Sequence, residues 1–234
     1  MITLENLVTG YQGQPLTRPL SGCFKRGSLT AIVGANGSGK STLLRTLAGL
    51  QPPVTGRVQC DSPLLGWLPQ RSELDRHFPI TVSDVVAMGC WPATGLLRGL
   101  GSARQQRINE ALEQVGLIEM AHSAIARLSG GQFQRMLFAR LLVQDAPLML
   151  LDEPFTGIDS QTCDALLAII ATLHRQGKTL LVVLHSQRIV QQWFPETLWI
   201  HEGHYHWGQT RQAFAQLAAT ELEPDLLNCS ALEA

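Results

Sequence analysis

Apolar and polar positions follow two regimes along this chain. Near the start, and again past residue 145, short continuous apolar runs stop abruptly at glycines or acids. Between them, apolar residues recur every three to four positions. Continuous runs of that kind predict strands buried on both faces, whereas the wider spacing predicts helices with one buried side. Residues 2–9 and 28–33 are expected as strands, with turn signals at Gly10, Gly13, Pro15 and Gly27. A helix is expected from Ser41 to about Leu50, closed by Pro52-Pro53. From about Arg71 to Gln144 the chain reads mainly as helix, with Ile108, Ala111, Leu112 and Val115 on one buried face. Alternation then returns. A buried strand at Leu148–Leu151 precedes a helix near Ser160–Gln176, which packs through Leu166, Ile169, Ile170 and Leu173. Another strand follows at Thr179–Leu184, then a hairpin-like end from Thr197 to Tyr205 and on to Gly208. No internal repeat or low-complexity linker intervenes, and the tail from Glu221 to Ala234 is expected to fray.

That order predicts an α/β fold: a mostly parallel sheet with helices on both faces and a helical insertion to one side. The length of 234 residues suits one large core, or a core with an inserted subdomain, and 45% hydrophobic with 16% charged residues is a globular composition. No stretch approaches the ~18–20 apolar residues that span a bilayer. The start, Met1-Ile2-Thr3-Leu4-Glu5, lacks a basic segment and a long apolar run, so it is not expected to be a signal peptide. Work at a membrane would therefore need a partner. A net charge of −1 offers no broad basic surface, and no nucleic-acid partner is expected. The five cysteines (Cys23, Cys60, Cys90, Cys163 and Cys229) are isolated, as expected of reduced thiols in a cytoplasmic protein.

Candidate chemistry sits where the apolar runs stop. Gly34-Ala35-Asn36-Gly37-Ser38-Gly39-Lys40-Ser41-Thr42 fits the phosphate-binding loop G-x-x-x-x-G-K-[ST] and follows the apolar run Leu29–Val33. Its glycines let backbone approach phosphate oxygens without a Cβ in the way, and successive N–H groups then form an anion cradle at a helix N-terminus. Lys40 would reach the β- and γ-phosphates of a nucleoside triphosphate, and Ser41 would hold Mg²⁺. Leu148-Met149-Leu150-Leu151 is followed by Asp152-Glu153, which places two acids at the end of a buried strand. Asp152 is a Mg²⁺ ligand candidate and Glu153 a general-base candidate; an acidic N-cap for the next helix is the plainer alternative.

Leu128-Ser129-Gly130-Gly131-Gln132, followed by Gln134-Arg135, makes the pattern specific. Together these segments resemble the ATP-binding-cassette (ABC) ATPases over nearly the whole chain. The resemblance implies a P-loop NTPase core with a RecA-like, mostly parallel sheet, an N-terminal antiparallel β part and an inserted helical subdomain. It implies one domain over 1–220, with the core at about 1–70 and 145–210, the helical subdomain at about 71–144, and a tail at 221–234. Tyr11 matches the family's adenine-stacking aromatic and Gln70 the Q-loop glutamine, a Mg²⁺-side ligand that senses the transporter. Asp159, in Thr156-Gly157-Ile158-Asp159, matches the D-loop, and His185 the switch histidine facing the γ-phosphate. The family often has Asp after that histidine; here Ser186-Gln187 follows.

Also implied are ATP and Mg²⁺ as cofactors and a head-to-tail homodimer in the ATP-bound state. In that dimer Ser129, Gly130, Gly131 and Gln132 of one copy close the other copy's P-loop. Further implied partners are integral-membrane permease subunits and an extracytoplasmic substrate-binding protein, placing the chain in the cytoplasm on the inner face of the membrane. His77-Phe78-Pro79-Ile80-Thr81-Val82-Ser83-Asp84-Val85-Val86-Ala87-Met88-Gly89 resembles the ATPase subunits of importers for zinc, manganese or chelated iron, as does Asp152 to Asp159. An exporter or lipid-linked ABC ATPase remains an alternative. A soluble non-transport member is another, although such proteins usually carry two cassettes or a long coiled coil. The apolar stretch Trp91 to Leu100 is expected to rim the groove that receives the permease. His201, His204 and His206, beside Trp199 and Trp207, read as an exposed, histidine-rich hairpin rather than a metal site, since only Glu202 adds a carboxylate.

Overall fold

The computed structural model describes residues 1–70, 75–91, 101–201 and 203–215. The chain opens with β1 (Ile2–Val8), the short pair β2 (Gly10–Tyr11) and β3 (Gln14–Pro15), β4 (Leu20–Phe24) and β5 (Leu29–Gly34). Helix α1 (Lys40–Leu47), β6 (Thr55–Cys60) and β7 (Leu65–Leu68) follow. The middle of the chain contributes α2 (Val82–Ala87), α3 (Ser102–Gln114) and α4 (Gly130–Gln144), joined in part by 3₁₀ turns. The rest is β8 (Leu148–Asp152), α5 (Ser160–Arg175), β9 (Thr179–Val183), α6 (Gln187–Trp193), β10 (Glu196–His201) and β11 (His204–Gln209).

Two sheets result. A three-stranded antiparallel sheet has the order β4-β1-β6, and a six-stranded sheet runs β11-β10-β5-β9-β8-β7. In the larger sheet every neighbouring pair is parallel except the terminal hairpin β10–β11. This is the mostly parallel α/β fold the pattern predicts. Strands β8 and β9 are buried at every position, because helices or the small sheet cover both faces. Alternate residues serve opposite faces. Leu148 and Leu150 join Ile2, Phe24, Leu43 and Leu44 beneath the antiparallel sheet and α1. Met149 and Leu151 join the other cluster, with Leu137 and Phe138 of α4 and Leu166 and Ile170 of α5. The helical stretch is continuous with that second cluster through Val85, Ile108, Leu112 and Met136.

Helix α1 ends earlier than its sequence suggests. Gly49 adopts φ 72° and Leu50 N–H bonds the Arg45 carbonyl at 2.9 Å, so a glycine stop closes the helix before Pro52-Pro53. Strands β4, β6 and β7 and helix α6 were not expected. Positions along β6 are mostly exposed, with Val58 turned inward toward the small sheet, so it carries no apolar run. Strand β7 is four residues long and includes Gly66 against the Leu141 side chain.

Where the 3₁₀ turn Met88–Cys90 crosses α4, a Cβ on Gly89 would overlap the Arg140 carbonyl oxygen. We expect Gly89→Ala to destabilise the fold by about 1–3 kcal/mol. Gly101, with open space around its Cβ position, should tolerate alanine within about 1 kcal/mol. Denaturant unfolding of the two variants beside the wild type checks both.

Candidate functional site

Four neighbouring parallel strands end on the same side. Gly34 closes β5, His185 lies two residues past β9, Asp152 closes β8, and Gln70 lies two residues past β7. The carboxyl ends of parallel strands are where open α/β sheets present their chemistry. A cavity of about 400 Å³ opens there. Its walls include Asn36, Gly37, Gly39, Lys40, Ser41 and Thr42 on one side, and Gln70, Glu153 and His185 on the other.

Local backbone geometry explains the glycine-rich loop. Gly37 and Gly39 adopt φ 79° and 93°, left-handed values that a side chain resists. Gly39 is the N-cap of α1 and offers no capping side chain, so the first helical N–H groups have no partner within the helix. A Cβ on Gly34 would overlap the carbonyl of Ile200 on β10. Lys40, only 5% exposed, donates to the carbonyls of Gly34 at 3.0 Å and Ala35 at 2.7 Å. Burial pushes its ammonium below the usual lysine range, while Glu153 and Asp152 pull it back upward. The Ser38 hydroxyl is buried inside the loop without a hydrogen-bond partner among the described residues. An orphaned hydroxyl, free helix N–H groups and a confined cation together suit a polyphosphate.

Opposite the loop stand two carboxylates with different surroundings. Asp152, 1% exposed, accepts from Ser41 Oγ at 3.0 Å. Burial raises its pKa, Glu153 raises it further, and the Ser41 bond, Arg45 and Lys40 oppose the rise. Glu153 sits at φ 49°, a left-handed conformation for a residue with a Cβ, and its N–H bonds the Val183 carbonyl at 3.2 Å. Gln70 Nε2 donates to Glu153 Oε2 at 2.7 Å, Thr156 Oγ1 donates to the same oxygen at 3.1 Å, and His185 Nε2 lies 2.5 Å from Oε1. Burial alone would raise the Glu153 pKa, but the bonds from His185, Gln70 and Thr156 outweigh it and the net shift is downward. An ionised Glu153 accepts only, so the His185 ring proton belongs on Nε2 in this arrangement. Ser186 caps α6 by accepting from Ile189 N–H, which fixes the chain immediately after His185.

The remaining candidates lie elsewhere. Tyr11, 63% exposed, lines a neighbouring cavity of about 710 Å³ with Arg45, Gln51, Trp67 and Pro69. Ser129, Gly130, Gly131 and Gln132 are absent from the walls of both cavities. They form the start of α4, where Ser129 and Gln132 make a reciprocal capping box. Asp159 caps α5, accepting from the backbone N–H and hydroxyl of Thr162 at 2.8 Å each, and those bonds hold its carboxyl below the usual range. A Cβ on Gly131 would come within 3.4 Å of Asp159 Oδ2, so these two segments adjoin each other.

On the terminal hairpin, Trp199 stacks on His201 and His206 with centroids 5.0 and 5.7 Å apart. Among the described residues no three His, Cys, Asp or Glu side chains group around a metal position; Glu202 lies outside them. Trp91 is 46% exposed, while the rest of the stretch to Leu100, and the tail 221–234, also lie outside the described residues. Thr156 was not singled out by sequence as a partner of Glu153. Its place three residues downstream, at the turn following the acid, was the only available signal.

The profile of the ABC transporter family matches residues 17–156. The chain is 39% identical over 204 residues to the zinc transport system ATP-binding protein TroB of Treponema pallidum, covering 84% of this chain and 77% of TroB. It is 41% identical over 220 residues to the manganese transport system ATP-binding protein MntB of Listeria monocytogenes, covering 91% and 92%. Among solved structures, a transporter assigned to the metal-chelate ABC type, captured facing inward, aligns with a TM-score of 0.82 at 30% identity, over 90% of this chain and 84% of that one. The dimeric cassette MJ0796, bound to ADP and Pi in a post-hydrolysis state, aligns with a TM-score of 0.79 at 25% identity, over 90% and 99%.

The geometry around Glu153 carries a prediction of its own. Replacing His185 with alanine removes the strongest donor to the carboxylate, so the Glu153 pKa should rise. A ¹³C NMR titration of the nucleotide-free protein reads this directly, and an unmoved or lower value would contradict the assigned hydrogen bond.

Proposed function

The chain belongs to the ABC transporter family, and from that premise we propose that it is the ATP-hydrolysing subunit of an importer for zinc, manganese or chelated iron. One observation carries the catalytic part: Lys40, Ser41, Gln70, Glu153 and His185 line a single cavity, with Asp152 directly behind Ser41. The cargo rests on TroB and MntB, named for zinc and manganese transport, at 39% and 41% identity over most of the chain.

In this reading the loop N–H groups and the Ser38 hydroxyl receive the phosphates of ATP. Lys40 exchanges its bonds to the Gly34 and Ala35 carbonyls for phosphate oxygens. The Ser41 hydroxyl and Asp152 carboxylate, 3.0 Å apart, are the hard oxygen pair that suits Mg²⁺, with Gln70 beside them. Bound there, Mg²⁺ would supply positive charge to the polyphosphate oxygens. Glu153 accepts the proton of the attacking water, and its depressed pKa keeps it ionised for that task. His185 and Gln70 hold the carboxylate toward the cavity.

Tyr11 faces the base from the adjoining cavity wall. The signature residues Ser129 to Gln132, with Asp159 beside them, serve the nucleotide of a second copy, which accounts for their distance from this chain's own loop. No helix among the described residues is long and apolar enough to cross a membrane. The proposed placement is on the cytoplasmic face, held there by permease subunits that meet an extracytoplasmic binding protein.

Glu153→Gln should lower ATP turnover by roughly 10²–10⁴-fold while nucleotide still binds, and should accumulate an ATP-bound dimer on gel filtration. Equal turnover in variant and wild type would remove Glu153 from the reaction. For the cargo, deleting the gene in its host should abolish high-affinity uptake of one radiolabelled ion among zinc, manganese and iron. Unchanged uptake of all three, with altered efflux, would assign the chain to an exporter.

A further inference from the structure

Between Gln70 and α2 the chain makes a tight turn at Asp75–Phe78, closed by Phe78 N–H to the Asp75 carbonyl at 3.0 Å and by His77 N–H to Asp75 Oδ1 at 2.9 Å. This turn presents Arg76 to the start of α4. Arg76 Nη2 donates to the carbonyl of Leu128 and reaches the carbonyl of Ser129 at 3.4 Å. Its guanidinium carbon stands 4.7 Å from the centre of the Phe133 ring. The same two segments are also joined by Ile125 N–H to the Ile80 carbonyl at 3.1 Å and Val82 N–H to the Ser123 carbonyl at 3.0 Å. One planar cation thus touches the last residue before the cap, the cap itself and the first turn of the helix.

We propose that Arg76 is a positioning residue for the signature segment. A guanidinium locked by two carbonyls and a ring loses little freedom and fixes the plane of the peptide links it grips. The second of those links carries the Gly130 N–H itself and is followed by that of Gly131, so Arg76 sets the direction in which the helix start faces an anion. Its charge sits beside the positive end of the helix dipole, a placement that costs stability alone but strengthens attraction for a phosphate. Six residues earlier, Gln70 holds Glu153. Arg76 touches the segment that, in the proposed function, completes a second copy's site.

This inference rests on the reading that Ser129–Gln132 close a partner copy's nucleotide site, and the test separates the two. In the full-length Glu153→Gln protein, the ATP-dependent dimer constant is measured by analytical ultracentrifugation, ATP affinity by titration at monomeric concentration, and unfolding by calorimetry. Adding Arg76→Ala should weaken the dimer roughly 10-fold or more, with monomer ATP affinity and melting temperature unchanged. Arg76→Lys, which keeps the charge but lacks the planar guanidinium that lies over the Phe133 ring, should recover only part of the loss. An unchanged dimer constant overturns the role of Arg76 alone. Parallel losses of ATP affinity and melting temperature in both variants reduce it to a fold contact and overturn the proposal. If Glu153→Gln itself forms no ATP-dependent dimer, the shared-site reading fails and this inference falls with it.

Discussion

A parallel sheet covered on both faces leaves no place for charge along its strands, and the rest of this molecule depends on that constraint. Along β8 and β9 every position is buried, so the polar groups the protein needs can appear only where strands end. Four adjacent ends then collect the glycine-rich loop, the two acids, His185 and Gln70 on one side. Burial also divides the labour between the acids. Asp152, inside the strand end, is pushed toward its neutral form and relies on Ser41. Glu153, one residue further, meets three donors and is held ionised.

The second cluster of motif residues obeys a different rule. Ser129 and Asp159 each begin a helix and spend their side-chain oxygens on capping it. A capped helix start still has N–H groups without partners inside the helix, and at α4 the first two belong to Gly130 and Gly131, which put no Cβ in front of them. Glycines thus stand at the starts of both α1 and α4, and of the two only α1 opens into the cavity with Glu153. A two-copy arrangement is the economical way to use both.

Legibility in the sequence followed burial. Leu148 to Leu151 and Leu29 to Val33 are strands covered on two sides, so their apolar runs are unbroken and their positions were readable, as were the helical face of α5 and the order of the motifs. Strand β6 escaped because its residues are mostly exposed, and β7 because four residues with a glycine carry too little pattern. Helix α6, seven residues long, is anchored by a single fully buried side chain, Val190. Within the site, the motif residues were legible as chemical types, while the partners of Glu153 were not. Thr156 and Arg76 act through distances between segments far apart in sequence or through a local turn, and neither leaves a periodic trace. The separation of Ser129–Gln132 from the loop Gly34–Thr42 within one chain is likewise a tertiary fact.

The left-handed backbone at Glu153 has an evolutionary side. Glycine or asparagine would sit there with less strain, so the residue proposed as the general base is not the one the backbone prefers. Selection for heat resistance alone would drift this position toward an inert, more robust protein. Glutamate there exchanges backbone ease for a carboxylate on the cavity wall.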